Sequence, residues 1–232
     1  MPEAELEAFS ARFRAHSLDN LQKSKNSQVQ FCDYKIGELR RVADQAKMKC
    51  PRILDFGSDI GGSLSGFRRS FKESELTCAS FSKEYIACAQ QEFPRAEVHL
   101  LVKESGIPMP DASFELAFSN CVFNQIPKEE HQSWFMELQR VVKPGGKLVV
   151  FEPNPRNPFS ARTAGMHSSG AKVRLIGPRE MKRTVLAAGW DGVKIDYHIL
   201  LPAMLAKLRP LGRGLRWCGL GRQYMAVAER WV

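Results

Sequence analysis

Short apolar runs alternate with amphipathic stretches along most of this chain. The apolar runs predict five strands in the first two thirds, at 52–57, 75–80, 98–102, 114–120 and 147–152. Apolar positions at helical spacing predict helices near 35–49, 63–72, 82–92 and 128–142. Strands that alternate with helices in this way favour a parallel sheet covered on both faces.

The pattern becomes less regular after the fifth strand. Residues 153–176 are rich in Pro, Ser and Gly, and the length of this segment favours a substrate-facing loop. A helix with proline in its first turn is predicted at 177–188, followed by strands at 192–200 and 223–231. The segment between those strands, 201–222, is predicted to be a basic insert on the substrate side.

Length and composition indicate one domain. A chain of 232 residues can bury a sizeable core, and no repeat or linker divides it, so we predict a single domain over 1–232. Its polar start predicts an N-terminal arm or lid over 1–34. The sequence has no apolar run of membrane-spanning length and no signal-peptide pattern, which favours a cytoplasmic protein. The six cysteines form no Cys-x-x-Cys pair, so we expect free thiols and no metal site.

Positive charge is concentrated in the C-terminal third. The whole chain carries +9, whereas 143–222 holds fifteen Lys and Arg against four acids, or +11, which leaves −2 elsewhere. This imbalance favours an anionic partner, such as a lipid headgroup, a phosphorylated or lipid-linked substrate, or nucleic acid. A solvated basic face is the alternative.

The insert at 202–217 alternates apolar and basic residues, which is typical of a segment that rests on an anionic membrane surface. Pro210 and the nearby glycines exclude one continuous helix, so a basic lid packed on the domain is the alternative. Nucleic acid is a less favoured partner because few aromatic side chains are available for stacking.

Three motifs point to a family. Residues 53–62, Ile-Leu-Asp-Phe-Gly-Ser-Asp-Ile-Gly-Gly, run from a strand into a glycine-rich turn of the kind that begins a nucleotide-type cofactor site. Residues 107–116 read Ile-Pro-Met-Pro-Asp-Ala-Ser-Phe-Glu-Leu, and 140–146 read Arg-Val-Val-Lys-Pro-Gly-Gly, where we predict a tight turn into the fifth strand. In this order the motifs resemble the class I S-adenosylmethionine-dependent methyltransferases, most of all the small type 11 group that modifies lipids, sugars and metabolites.

The resemblance implies a fold and a cofactor. The fold is an α/β, Rossmann-like doubly wound sheet of seven strands, with the last strand antiparallel and helices on both faces. S-adenosylmethionine would lie across the carboxyl ends of the first strands, where the strand order reverses. The positions implied as cofactor contacts are Asp55, Gly57, Asp59, Gly61, Ser80, Phe81, Lys103, Glu104 and Asn120.

The chain departs from the family at three of these positions. Asp59 replaces a glycine and would crowd and repel the cofactor's own carboxylate. Ser80 stands where an acid normally holds the ribose, and Lys103 where an acid normally meets the adenine, although a shift of one residue would bring Glu104 there. Together these changes cost on the order of 4–8 kcal/mol, against about 8 kcal/mol for a micromolar complex.

The departures leave three functions open. One is an active methyltransferase with a weakened cofactor site. Another is a non-catalytic relative that serves as a scaffold, regulator or partner subunit of another protein. The third is a pocket adapted by Lys103 to a phosphate-bearing ligand.

The methyl acceptor would lie beyond the fourth strand. The amides of Asn120, Asn124 and Gln125 can orient a substrate there but cannot remove a proton. Glu152 at the end of the fifth strand and His167 in the long loop are the further candidates, with Glu152 interpreted as a loop anchor in preference to a general base.

Asn154, near the same strand end as Glu152, is a further polar group predicted near the pocket. Two histidines are interpreted otherwise. His131 falls in a polar helix and is predicted to be exposed, whereas His198 falls in a strand and is predicted to be structural. The sequence shows no Ser/His/Asp arrangement of the kind that supports nucleophilic catalysis.

Overall fold

The structure is a computed structural model that describes residues 25–58, 63–92, 97–103, 105–158, 160, 175–198, 219 and 221–231. Several positions singled out in the sequence lie outside these residues. They are Asp59, Gly61, Glu104, His167 and the insert at 202–217.

Seven strands of the described chain form one sheet, in the order β3-β2-β1-β4-β5-β7-β6. The strands are β1 Ile53–Phe56, β2 Leu76–Ser80, β3 Glu97–Leu101, β4 Phe114–Asn120, β5 Val142–Pro153, β6 Asp191–His198 and β7 Gln223–Glu229. Strand β7 runs antiparallel to both β5 and β6, and the other four pairings are parallel. The predicted doubly wound sheet with an antiparallel last strand is confirmed.

Helices cover both faces of the sheet. They are α1 Lys25–Gln45, α2 Leu64–Ser70, α3 Lys83–Glu92, α4 His131–Val141 and α5 Pro178–Ala187, with a short 3-10 turn at Lys128–Glu130 before α4. Helix α1 begins ten residues ahead of the predicted 35–49, so it contains part of the segment predicted as an arm. It ends at Gln45, four residues early, and Lys47 turns the chain with a φ of 57°.

The core forms one apolar layer on each face, as strand alternation requires. In β1, Leu54 faces the layer that contains Phe135 of α4, whereas Ile53 faces the layer that contains Ile36 of α1 and Phe67 of α2. These side chains are buried. The strands are thereby held rigidly, which fixes their carboxyl ends relative to one another.

The predicted start of the fifth strand is also wrong. Residues 144–146 are predicted as a tight turn ahead of a strand at 147, but β5 already begins at Val142. Gly145, with a φ of 79°, donates to the carbonyl of Arg230, and Arg230 donates to the carbonyl of Gly146. The segment is a bulge within the strand, because the neighbouring chain supplies the hydrogen bonds that a turn would have supplied internally.

Candidate functional site

A glycine turn joins the ends of β1, β2 and β4. Gly57 follows β1 with a φ of 78°, and a Cβ at this position would lie 2.3 Å from Cγ2 of Val122. The backbone N–H groups of Gly57 and Ser58 both donate to the carbonyl of Ala79, at 2.8 and 3.0 Å. Because the strand order reverses between β1 and β4, this turn stands at the crevice where doubly wound sheets bind their ligands.

Asp55 secures the two sides of the glycine turn. Its carboxylate is buried in β1, and Oδ2 accepts a hydrogen bond of 3.1 Å from the hydroxyl of Ser63, just ahead of α2. The bond connects the strand before the turn to the helix after it. Asp55 therefore fixes the span of the turn.

The end of β2 carries a hydroxyl where the family resemblance implies a carboxylate. Ser80 is buried, and its Oγ accepts a hydrogen bond of 3.3 Å from the N–H of Ser82. The carbonyl of Ser80 accepts from Val102 at the end of β3. Phe81 is also buried, with its ring edge-on to Phe56 at a centroid distance of 5.4 Å. The end of β2 therefore carries a hydroxyl group and an aromatic ring in place of the implied carboxylate.

Lys103 lies in a small turn after β3. Its backbone forms a pair of hydrogen bonds with Gly106, at 3.1 and 2.9 Å, and its side chain is exposed. Gly106 has a φ of 111° and approaches the carboxylate of Glu137 in α4 so closely that a Cβ would lie 2.3 Å from Oε1. Burial raises the pKa of Glu137, but hydrogen bonds from Arg140 and Ile107 outweigh it and leave the pKa lowered. An ionised carboxylate thus holds this turn against α4.

A buried lysine reaches the end of β4 from α1. Lys35 is 6% exposed, and its Nζ donates to Oδ1 of Asn120 at 2.6 Å and lies 4.0 Å from Sγ of Cys121. Cys121 has a φ of 57°, which is unusual for a residue with a Cβ. Burial raises the pKa of the Cys121 thiol to about 11, so the thiol is protonated at neutral pH and is not a nucleophile.

Lys35 was not among the site residues predicted from the sequence. The signal was present but weak, since this lysine directly precedes Ile36 at the edge of the apolar face of α1. Its partner Asn120 is distant in the sequence, and only the packing of α1 against the sheet reveals the contact.

Glu152 is fully buried at the end of β5. Oε1 accepts a hydrogen bond of 2.9 Å from the N–H of Phe123, so Glu152 contacts the loop after β4. Burial raises the pKa of Glu152 to about 8, against the opposing effects of that hydrogen bond and of the Lys35 charge. The backbone N–H groups of Asn124 and Val122 also interact with the Glu152 carboxyl group and act to lower its pKa.

Three amide side chains lie in or beside the loop after β4. Nε2 of Gln125 donates to the carbonyl of Cys121 at 2.9 Å, and Nε2 of Gln223 in β7 contacts Sγ of Cys121 at 3.5 Å. Asn124 is 8% exposed. The structure therefore brings together four of the predicted substrate-side residues, Asn120, Asn124, Gln125 and Glu152, and adds Lys35 and Gln223 to them.

Asn154 and His198 have structural roles. Nδ2 of Asn154 donates to the carbonyls of Gly219 and Gly221, both at 2.8 Å, and so positions the chain entering β7. His198 is buried, and its Nδ1 lies 2.7 Å from the hydroxyl of Tyr34 in α1. The structural interpretation of His198 is confirmed.

The prediction that His131 is exposed is wrong. Its side chain is 4% exposed, and Nε2 lies 2.9 Å from the carbonyls of both Phe123 and Ile126. Because carbonyls only accept, Nε2 carries the proton. The imidazole of this first residue of α4 points back and donates to the loop that follows β4. Helical periodicity in the sequence gives no signal for such a contact.

The described residues offer few other reactive groups. There, Cys32, Cys50, Cys78 and Cys121 are free thiols. No group of three or more His, Cys, Asp or Glu among those residues could hold a metal ion. None of the described helices is both long and apolar enough to cross a membrane.

Comparison with known proteins agrees with the fold. Residues 54–150 match a protein-family model described as a methyltransferase domain, of type 11. A malonyl-[acyl-carrier protein] O-methyltransferase of Hahella chejuensis is 30% identical over 172 residues, which are 70% of this chain and 61% of that protein. A demethylmenaquinone methyltransferase of Deinococcus radiodurans is 26% identical over 207 residues, 84% of this chain and 80% of that protein.

A solved S-adenosylmethionine-dependent methyltransferase from Thermotoga maritima superposes with a TM-score of 0.70 at 14% identity, covering 96% of this chain and 99% of that one. These comparisons indicate a class I S-adenosylmethionine-dependent methyltransferase domain in this chain. The match to the Hahella enzyme spans about three fifths of that enzyme's length.

In the described part of this methyltransferase-family chain, residues lie at the positions from which the family's cofactor would be held. The Gly57 turn and the Ser80 hydroxyl stand at the carboxyl ends of β1 and β2, beside Asn120 at the end of β4. When bound, S-adenosylmethionine supplies a methyl group on an electrophilic sulfonium, so the protein's contribution is positioning and the exclusion of water.

Proposed function

We propose that this protein is an S-adenosylmethionine-dependent methyltransferase that acts on a small or lipid-linked, anionic acceptor through an altered cofactor pocket. The observation that carries the proposal is the left-handed turn at Gly57, packed on Val122 where the strand order reverses. Such a turn brings backbone, and not side chains, to the crevice. Asp55 and Ser63 hold its two sides.

The proposed class of acceptor rests on charge. The C-terminal third, 143–222, carries +11, which favours an anionic acceptor. The named acceptors of the relatives, a malonyl group on an acyl-carrier protein and demethylmenaquinone, differ from one another, so they do not select one compound for this chain. Contact of 202–217 with an anionic membrane is part of the proposal.

A pair of glycine variants tests the role of the turn. Gly57→Ala would place a methyl group against Val122, whereas Gly145→Ala, at nearly the same φ, meets no atom within 4 Å. Both substitutions strain the backbone by on the order of 1 kcal/mol, and only the first disturbs the crevice. We expect Gly57→Ala to abolish binding of S-adenosylhomocysteine in a calorimetric titration and Gly145→Ala to retain it. If both variants bind S-adenosylhomocysteine equally well, the turn at Gly57 is not part of the cofactor site.

A non-catalytic relative is the second candidate function. It is favoured by Ser80, a buried neutral hydroxyl where the family resemblance implies the ribose-binding acid. A scaffold or partner subunit has no need of that acid. If this candidate is correct, the parent protein does not bind S-adenosylhomocysteine, and the triple change Asp59→Gly, Ser80→Asp and Lys103→Asp creates binding. Methyl transfer by the unaltered protein would exclude it.

A further inference from the structure

A buried cation lies at the end of β4. Lys35 of α1 is 6% exposed, and its Nζ donates to the neutral amide oxygen of Asn120 at 2.6 Å. The same atom lies 4.0 Å from Sγ of Cys121 and 5.8 Å from the centre of the Phe151 ring. Among the residues that the structure describes, no carboxylate forms an ion pair with Lys35. Burying a charge without a counter-ion is costly, so an anion is expected beside it.

The acidic groups nearest in electrostatic effect do not supply that anion. Burial raises the pKa of Glu152 to about 8 and that of the Cys121 thiol to about 11, in both cases against the opposing effect of the Lys35 charge. Both groups therefore carry their protons at neutral pH. Within the described chain, the positive charge of Lys35 is left unbalanced.

Lys35 lies beside the turn that would receive the cofactor. Phe56 of β1 pairs with Ser119 of β4 in parallel register. The next residues of the two strands, Gly57 and Asn120, therefore lie side by side, where neighbouring strands are about 4.8 Å apart. Because Lys35 donates to the side chain of Asn120, its ammonium group stands at the same crevice as the Gly57 turn.

The first two residues of that turn offer no free N–H group to an anion. The N–H groups of Gly57 and Ser58 both donate to the carbonyl of Ala79. Backbone N–H groups at such turns commonly bind anions, so their engagement here leaves this role to another donor. An ammonium group has three protons, and Asn120 accepts one of those on Lys35. Lys35 can donate another to the oxygen of a bound ligand.

We propose that Lys35 binds a carboxylate group in the crevice between β1 and β4. S-adenosylmethionine carries a carboxylate on its methionine end, and an acidic methyl acceptor could carry another. The place of Asn120 beside the Gly57 turn favours the cofactor as the source. The inference rests on the proposed function and deepens it, since Lys35 lies outside residues 54–150, the part of the chain that matches the methyltransferase-domain model.

A pair of ligands isolates the effect of the carboxylate. S-adenosylhomocysteine carries the negative charge, and its carboxyl methyl ester lacks that charge but keeps the amine and the adenosyl group. We would measure the dissociation constants of both ligands by calorimetric titration of the wild-type protein. We expect S-adenosylhomocysteine to bind about tenfold or more tightly than the ester, because a charge-assisted hydrogen bond is lost in the ester. This comparison needs no variant.

Substitution of Lys35 locates the effect. Lys35→Met removes the charge and leaves an unbranched apolar side chain that suits a buried position. It should weaken binding of S-adenosylhomocysteine about tenfold or more and leave the affinity for the ester within about threefold. Retained binding of the ester also shows that the variant is folded. Lys49→Met is the matched control, because it removes the same charge from an exposed position beyond the far end of α1, and it should change neither affinity by more than about threefold.

Malonate distinguishes the two sources of the carboxylate, because it is a small dicarboxylate without the adenosyl group. We would titrate it into wild type and Lys35→Met by NMR, alone and with saturating S-adenosylhomocysteine. If the acceptor supplies the carboxylate, malonate should bind only to wild type, and Lys35→Met should retain its affinity for S-adenosylhomocysteine.

The outcomes separate this inference from the proposed function. If Lys35→Met binds S-adenosylhomocysteine as well as wild type does, and malonate binding does not depend on Lys35, the inference is overturned and the proposed function stands. Equal weakening of the acid and the ester in Lys35→Met, or equal weakening of the acid in Lys49→Met, would also overturn it. If neither adenosyl ligand binds to wild type, the proposed function fails. In that case malonate binding that is lost in Lys35→Met supports the carboxylate site, and its absence overturns it.

Discussion

Glu152 should make the free energy of unfolding of this protein depend on pH. Its pKa in the folded protein is about 8, compared with an ordinary value of 4.5 that we take for the unfolded chain. Between these values Glu152 is protonated when folded and ionised when unfolded. The stability it contributes is fully present below pH 4.5 and is lost as pH rises through 8. Each pH unit in this window removes about 1.4 kcal/mol.

Replacing Glu152 by glutamine should remove this dependence of stability on pH. The amide that Glu152→Gln introduces cannot ionise, yet its carbonyl can still accept from Phe123. Between about pH 5.5 and pH 8.5 the wild-type free energy of unfolding should fall by about 3 kcal/mol relative to that of Glu152→Gln. The nearby Cys121 and Tyr224 do not interfere, because both have pKa values raised further above this window.

Urea denaturation at the two pH values measures the difference, with Glu115→Gln as the control. Burial raises the pKa of Glu115, but hydrogen bonds from Lys143 and Arg52 outweigh it and leave the pKa lowered. Its contribution to stability is therefore present above pH 4.5 and is lost only as pH falls below that value. The control should differ from wild type by the same amount at both pH values. A wild-type curve parallel to that of Glu152→Gln would show that Glu152 is not a buried acid of raised pKa.

Three further predictions concern other parts of the site. His131→Ala should lower the free energy of unfolding by about 2–4 kcal/mol, since two buried carbonyls lose their donor, whereas Met136→Ala, at an exposed position of the same helix, should cost less than about 0.5 kcal/mol in the same urea assay. Ser80→Asp should strengthen binding of S-adenosylhomocysteine about tenfold in a calorimetric titration, and the neutral Ser80→Asn should not; equal effects would show that charge at this position is irrelevant. Lys35→Met should lower the melting temperature through loss of the Asn120 contact, and an unchanged melting temperature would show that this contact does not stabilise the fold.

The strands and helices were largely predictable from local periodicity, whereas the antiparallel last strand was implied by the family resemblance. Apolar runs alternate with helical faces, so the strands around Ile53 and Phe114 could be placed within a residue or two. The bulge at Gly145 could not, since its hydrogen bonds come from Arg230 at the far end of the chain. Likewise, the length of α1 depends on packing against the sheet, which its polar first turns do not reveal.

The candidate site was predictable only where it follows strand ends. Asn120 and Glu152 end β4 and β5 in sequence as they do in space, and parallel strands bring such residues together. Lys35 and Gln223 enter from α1 and β7, which lie outside the motifs, and the sequence offers no pairing signal for them. The burial of His131 was missed for the same reason, because its partners are backbone carbonyls of a loop.

The most direct test of the central claim is a calorimetric titration of the wild-type protein with S-adenosylhomocysteine. The glycine turn and the hydroxyl of Ser80 predict saturable binding at one site, with a dissociation constant above about 1 µM because the ribose-binding acid is missing. Absence of binding at about 1 mM ligand would contradict the methyltransferase assignment and favour the non-catalytic relative.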